Sequence, residues 1–537
     1  MEPTLLPIDV IAHKLGLPEN LYEPLGRYGA KVNLDLLTDK AFPRRGKLIL
    51  VTATSPTAAG EGKTVTAIGL TQGLAYLGKK ALITSREPSL GPVFGIKGGA
   101  AGGGRSQIEP SQKINLHFHG DMHAMTAAHN LLAALIDAHL FHGNELALDP
   151  EQISWPRAMD MNDRALRRVQ VEVGGKRQGA NRATSFVITA ASEVMAILAL
   201  AQDRDDLRAR LSRIVIGQNR SGEPVTAAAL GAVGGMMALL TDALLPNLVQ
   251  TTECAPVFVH CGPFGNIAHG TSSVLSQQMA LQLADYVVNE AGFAADLGAE
   301  KYMDIVMQTT GLTPSVAVLV TTVQSMRQQG EGSIERGLPN LARHIQNMRS
   351  FGLPIVVAIN RFPHDTDAEL SQLAHFAEQQ GAEYALSEAF AKGGAGAAEL
   401  AQKVVDVIEQ NPTPQPTPAY ALTDSLTEKI QKVATKIYGA ADVEYSPKAK
   451  AQLDQFAAWG YGHLPVCIAK TQYSFTDDPK QLGAPSGWTL HITDAALSAG
   501  AGFIIPIAGN TMLMPGLPKH SRAAEIDVDR EGKILGV

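Results

Sequence analysis

VTATSPTAAGEGKTVTAIGLTQGLAYLG, residues 51–78, reads as the end of a strand, a loop of small residues and a helix. That order is the signature of a phosphate-binding loop. Gly60 and Gly62 let backbone N–H groups approach a polyphosphate. The helix that opens near Lys63 points its positive dipole end at the same anion. Lys63 can neutralise a bridging or transferred phosphate, and the Thr64 hydroxyl can sit on Mg²⁺. The candidate nucleotide-binding set is therefore Gly60, Glu61, Gly62, Lys63 and Thr64, with Thr64 also the candidate metal ligand. The match to G-x4-G-K-[ST] is not strict, because Thr57 holds the first glycine position. A chance run of small residues before a helix is the plainer alternative. The placement of GEGKT directly after a buried strand argues against it.

Outward from this loop, short apolar runs alternate with helical patterns. KLILVTA (47–53), KALIT (80–84), PVFVH (256–260), YVVNEA (286–291), VAVLVTT (316–322) and PIVVAINR (354–361) read as buried strands. Thr64–Leu77, Met122–Phe141, Ser192–Ala201 and Leu338–Ser350 read as helices between or beside them. The alternation predicts an α/β fold: a P-loop-type, mainly parallel sheet flanked by helices, with additional smaller α/β domains. Ligands of such sheets sit at the carboxyl ends of the strands. NPTPQPTP (411–418) has four prolines in eight residues and predicts an extended linker between a region 1–410 and a C-terminal α/β domain 419–537. In that last segment LPVCIAK (464–470) and GFIIPI (502–507) are the strand candidates.

The bulk composition narrows the function classes. The chain has 537 residues, 45% hydrophobic and 18% charged, enough for several cores. A net charge of −7 gives no general attraction to nucleic acid or an anionic membrane. Cys254, Cys261 and Cys467 form no CxxC pair, so neither a disulfide framework nor a cysteine zinc site is expected and a reduced, cytoplasmic setting fits. The start MEPTLLPIDVIAHKLG lacks the pattern of a signal peptide. No apolar run is long enough to span a bilayer; the nearest, Ala227 to Leu240, is broken by glycines.

A second glycine-rich loop follows the first. IKGGAAGGG (96–104) carries Lys97, Gly98, Gly99, Gly102, Gly103 and Gly104. A long glycine loop inside a globular region permits close backbone approach to a ligand, so Gly98, Gly99, Gly102, Gly103 and Gly104 join residues 60–64 as cofactor-binding candidates. Arg86, just before it, has the planar fork that grips phosphate or carboxylate. An ion pair with Glu87 or another acid would explain Arg86 equally well.

These segments together resemble formate–tetrahydrofolate ligase, also called 10-formyltetrahydrofolate synthetase. The resemblance runs through REPSLGPVFGIKGGAAGGG (86–104), INLHFHGDMHAMTAAHNLLAALID (114–137), DMNDRALR (160–167), PNLVQT (246–251), GPFGNIAHG (262–270), EAGFAADLGAEK (290–301), VVAINRF (356–362), LPVCIAKTQYSFTDDP (464–479) and MPGLPK (514–519). It implies an ATP-dependent ligase. Formate attacks the terminal phosphate of MgATP to give formyl phosphate and ADP, and N10 of tetrahydrofolate then displaces phosphate. Carried over residue by residue, Lys63, Arg86, Glu87 and Lys97 become the catalytic candidates. Lys63 and Thr64 would hold phosphates and Mg²⁺, Arg86 would bind the acyl phosphate, and Lys97 with the glycine loop would close over the reacting groups. The family's folate-stacking Phe and Trp fall on Phe362 and Phe390. Pro363, Leu386 and Phe293 would line the same pocket, around residues 355–400. A homotetramer and help from K⁺ or NH₄⁺ are further implications of the resemblance.

Several positions depart from that family's pattern. Arg105, Lys113, Val187, Val306, Met307, Gln308, Ala395 and Asn510 stand where the family has other residues, most of them of different charge. A divergent ligase with compensated ion pairs is one reading. A paralogue with a changed acid or pterin, or a nucleotide-binding regulator without turnover, are the alternatives. His117, His119, His123 and His129 are closely spaced, with His117 and His119 expected on one strand face. A hydrogen-bonded set is the favoured reading, and a metal site the other.

Overall fold

The computed structural model describes residues 4–57, 60–95, 101–171, 181–509, 512–532 and 534–536. Its largest sheet has twelve strands among these residues. The strands that matter for function are β1 (Lys47–Ala53), β2 (Ala81–Ser85), β3 (Asn247–Thr251), β4 (Pro256–Val259), β5 (Tyr286–Glu290), β6 (Val316–Thr321), β7 (Ile355–Asn360) and β8 (Glu383–Ser387). Their spatial order is β3-β4-β2-β5-β1-β6-β7-β8. Every pairing from β4 through to β8 is parallel, and β3 joins β4 antiparallel. All six sequence-predicted strands of the main region are present.

Burial explains why they form. Leu48, Ile49, Leu50 and Val51 of β1 are at most 1% exposed, so both faces of this strand are covered. Each such side chain stabilises the fold by roughly 2 kcal/mol relative to exposure. A parallel strand covered on both sides reads as a near-continuous apolar run, which is how β1, β6 and β7 appear in the sequence.

Helix α1 (Lys63–Tyr76) packs on the sheet; α2 (Leu90–Phe94), α3 (Asp121–Phe141) and α4 (Glu193–Leu200) follow in the chain; and α5 (Ile334–Ser350) again packs on the sheet. The last begins earlier than the expected Leu338, because Ser333 caps it by accepting the Arg336 N–H. On α1, Gly69 and Gly73 lie on one face. A Cβ on Gly69 would stand 2.2 Å from the Ala389 methyl, and one on Gly73 2.7 Å from the Ala397 carbonyl. The segment after β8 therefore lies directly on the helix that follows the phosphate loop.

The C-terminal segment builds a smaller sheet of β9 (Asp442–Tyr445), β10 (Thr489–Ser498) and β11 (Phe503–Ala508), in that order. GFIIPI is β11. LPVCIAK is not a full strand: it touches β11 only at the isolated bridges Val466–Ile504 and Ala469–Ile507. Pro506 has no N–H to give between those bridges, so the ladder breaks there. The proline-rich stretch 411–418 contacts the main region, with the Thr417 N–H donating to the Phe351 carbonyl over 3.0 Å. Residues on both sides of it contribute to one continuous apolar core.

His117 and His119 lie in a turn after residues 111–115 and not on a strand. His117 and His123 are exposed. His119 meets Asn247 Oδ1 at 2.7 Å. His129 is buried, bonded to Ser192 Oγ (2.7 Å) and the Pro156 carbonyl (3.0 Å), and stacked on Trp155. Burial pulls its pKa down to about 4. A histidine kept neutral in the native state but free to charge when unfolded contributes stability above its ordinary pKa, and that stability is lost as pH falls. Between pH 6.5 and 4 the loss from this one residue reaches roughly 3 kcal/mol. His129→Gln should therefore be less stable than the parent at pH 7, with a Tm gap that narrows steadily down to pH 5. A gap independent of pH would refute the assignment.

Candidate active site

Parallel strands end on one edge, so their carboxyl-terminal residues gather in one crevice. The loop after β1 enters it, and so do Arg86 after β2, Glu290 at the end of β5, Thr322 after β6, Asn360 at the end of β7 and Ser387 at the end of β8.

The phosphate loop is shaped by its neighbours. Gly62 takes φ +66° as the residue before α1, with no side chain capping the helix. A helix start that no side chain caps is suited to an anion. A Cβ on Gly62 would lie 2.3 Å from Asn360 Nδ2. That amide instead donates to the Glu61 carbonyl over 3.1 Å, tying the loop to β7. The Glu61 side chain turns inward. One oxygen accepts from the Thr57 N–H (2.7 Å), the other from the Thr322 hydroxyl (2.5 Å). Burial raises its pKa. Glu61 thus braces the loop from within, and its carboxylate does not oppose an incoming phosphate. Gly62→Ala is expected to weaken nucleotide binding at least about 10-fold and to lower Tm, since a non-glycine residue here costs roughly 1–2 kcal/mol before the clash with Asn360 is counted. Titration with a fluorescent nucleotide beside a melting curve checks both.

Lys63 and Arg86 converge on one acid. Lys63 Nζ lies 3.7 Å from Glu290 Oε1 and donates to the Phe293 carbonyl over 2.6 Å. Arg86 Nη2 lies 3.4 Å from the same Glu290 oxygen, and Nη1 donates to the Pro263 carbonyl. Gly292 lies beneath the guanidinium, where a Cβ would come within 3.2 Å of Nη1. Two cations thus share one carboxylate at the mouth of the phosphate loop. Phe293 itself takes φ +57°, and Cys261 across the crevice φ +56°. Left-handed backbone at bulky residues is costly and concentrates at functional sites.

Glu87 is not the partner of Arg86. Its carboxyl is buried, its Oε2 has no hydrogen-bond partner, and its backbone N–H donates to the Cys261 carbonyl over 2.6 Å. Burial first, and then the nearby Asp121 charge, push its pKa well above the carboxylate range.

The aromatic candidates hang from the ends of adjacent strands. Asn360 and Ser387 are paired, and the Arg361 N–H continues the ladder to the Ser387 carbonyl. Phe362 follows, half-buried, and Pro363 is exposed. Leu386 is half-buried in β8, and Phe390 is 59% exposed. The backbone of Phe390 is fixed by the Arg105 N–H, which donates to its carbonyl over 2.9 Å. Gly103 and Gly104 pass directly under it, leaving no room for a Cβ at Gly104. Gly102 pairs with Gln107 in a short hairpin. The second glycine loop thus meets the aromatic segment at its far end. Lys97, Gly98, Gly99 and Asn510 lie outside the described residues.

The sequence model of one family, described as formate–tetrahydrofolate ligase, matches residues 1–537. The chain belongs to the formate–tetrahydrofolate ligase family. A formate–tetrahydrofolate ligase of Symbiobacterium thermophilum is 52% identical over 554 aligned positions, covering 99% of this chain and 98% of that protein. One of Paracoccus denitrificans is 51% identical, covering 100% and 98%. Of the departures named above that lie among the described residues, three are buried: Val187, Val306 and Met307, at 4%, 0% and 6% exposure. Apolar side chains need no polar partner at such buried positions. Arg105, Lys113 and Ala395 are exposed, and Gln308 donates to the Asp304 carbonyl.

Glu290, Asn360 and Thr322 were absent from the sequence-derived site. Their one legible signal is position, at or just past the carboxyl end of a buried strand.

Proposed function

We propose that this chain joins formate to N10 of tetrahydrofolate at the expense of ATP, through formyl phosphate. The observation that carries the reading is the meeting of Lys63 and Arg86 on Glu290 at the start of the helix that follows the 60–64 loop. ATP places its phosphates on the 60–64 loop. The Thr64 hydroxyl, on the second residue of α1, would hold Mg²⁺, which would spread the charge of the phosphates. A formate oxygen attacks the γ-phosphorus, the bond to ADP breaks, and the acyl phosphate forms. Lys63 and Arg86 stabilise the charge on the transferred phosphoryl group, with Glu290 holding both cations in place beforehand. The N10 amine then attacks the formyl carbon. The C–O bond to phosphate breaks, and N10 loses its proton. Phe362 and Phe390 flank the pterin, with Pro363, Leu386 and Phe293 around it. The setting is cytoplasmic, the assembly a homotetramer, and K⁺ or NH₄⁺ assists. No helix among the described residues is long and apolar enough to cross a membrane.

In steady state the purified protein should release ADP only when formate is present together with an acceptor for the formyl group, tetrahydrofolate or hydroxylamine. Hydroxylamine should trap a formyl hydroxamate from ATP and formate alone. ADP release indifferent to formate, with no hydroxamate, would overturn the reading.

A further inference from the structure

Two family strings, DMNDRALR (160–167) and MPGLPK (514–519), found no role in the site above. In the structure they act on one object: the short helix α2 and its exit, which link Arg86 to the second glycine loop.

Asp160 holds the entrance of α2. Its Oδ1 accepts from Ser89 Oγ over 2.5 Å and its Oδ2 from the Leu90 N–H over 3.0 Å. Asn162 Nδ2 donates to the Gly91 carbonyl. A five-residue helix leaves its last carbonyls without internal partners. Those are taken by the C-terminal tail: Ser521 Oγ donates to the Phe94 carbonyl, and the Arg522 N–H to the Gly95 carbonyl over 3.0 Å. The tail is in turn gripped by the first string. Arg164 Nη2 donates to the Leu517 carbonyl (2.6 Å) and Arg167 Nε to the Met514 carbonyl (2.9 Å). Gly516 runs against the Arg164 guanidinium, where a Cβ would stand 2.7 Å from Nε. Further along, the Ile534 carbonyl accepts from Gln112 Nε2 over 2.8 Å. Gln112 lies beyond the other end of the glycine loop.

We infer that the C-terminal tail is a positioning element of the active site: Ser521 and Arg522, carried by the 160–167 segment, set the path of the chain that leads from Arg86 into the glycine loop. The tail bonds to residues on both sides of that loop, at 94–95 and at 112. The phosphate loop at 60–64 is bound to other partners, Asn360 and Thr322, and takes no described hydrogen bond from the tail. The tail therefore acts on the formate-handling side and leaves ATP binding alone. This rests on the assignment of Arg86 to the acyl phosphate.

The test uses the full chain with Ser521→Ala, Ser521→Thr and Arg86→Ala. A misplacement of a fraction of an ångström at Arg86 should raise the KM for formate about 10-fold in Ser521→Ala, with the KM for ATP changed less than about 2-fold. Tm should stay within about 2 °C of the parent, and Ser521→Thr, which keeps the hydroxyl, should restore the formate KM. Equal losses toward ATP and formate, a loss that tracks Tm, or unchanged formate kinetics would overturn the role of the tail. Arg86→Ala separates the two levels. If it leaves formate handling intact, the reading of Arg86 itself fails and this inference with it. If it impairs formate handling while Ser521→Ala does not, only the tail's role fails.

Discussion

Lys63→Ala is expected to lower kcat/KM for ATP-dependent ADP release by about 10²–10³-fold, the usual cost of removing one preorganised donor to a developing charge. Its place supports a loss of that size. Lys63 is the first residue of α1, and its ammonium already lies on the Phe293 carbonyl and near Glu290. An arriving phosphate therefore meets a cation whose position is set before binding. Removing Lys63 leaves Glu290 its second partner, Arg86, so no buried charge is orphaned and the fold should survive. Steady-state ADP release, a nucleotide titration and a melting curve on one preparation separate these effects. Turnover equal to the parent would remove the phosphate-loop assignment.

The ease with which this lysine was found marks what sequence can convey. The loop 60–64 is local: its glycines, lysine and threonine are neighbours in the chain and directly follow β1. The parallel sheet was legible for a related reason. Strands covered on both faces are largely apolar, and β1, β6 and β7 are, apart from residues at or near their ends. Glu290 was not legible as a site residue, because its role comes from Lys63 and Arg86, each more than 200 positions away in the chain. Asn360 is likewise 299 positions from the Glu61 carbonyl it holds. Glu61 was read as a nucleotide contact because it lies within GEGKT, yet its oxygens are engaged by Thr57 and Thr322. The expected strand at 464–470 failed on a single missing N–H at Pro506, a detail of the partner strand that no reading of the segment itself contains.

Arg86→Ala should separate the two halves of the reaction. Hydroxamate trapped from ATP and formate is expected to fall about 10²-fold or more, while nucleotide affinity changes little. The asymmetry follows from the site. Glu290 still holds Lys63 when Arg86 is gone, and the phosphate loop keeps its braces to Asn360 and Thr322. What disappears is a planar donor fork, half-buried over Gly292 and fixed by Pro263. Only a group with that shape meets two oxygens of a phosphoryl group at once. Arg86→Lys should therefore recover little: its ammonium keeps the charge but is a point donor on a flexible stem and cannot bond bidentately. If charge alone mattered, the lysine variant would restore most of the hydroxamate yield, and the geometric role given to Arg86 would have to be abandoned. If both variants trapped hydroxamate at the parental rate, the acyl phosphate would have to be held elsewhere, and the convergence of Lys63 and Arg86 on Glu290 would be a structural ion-pair network only.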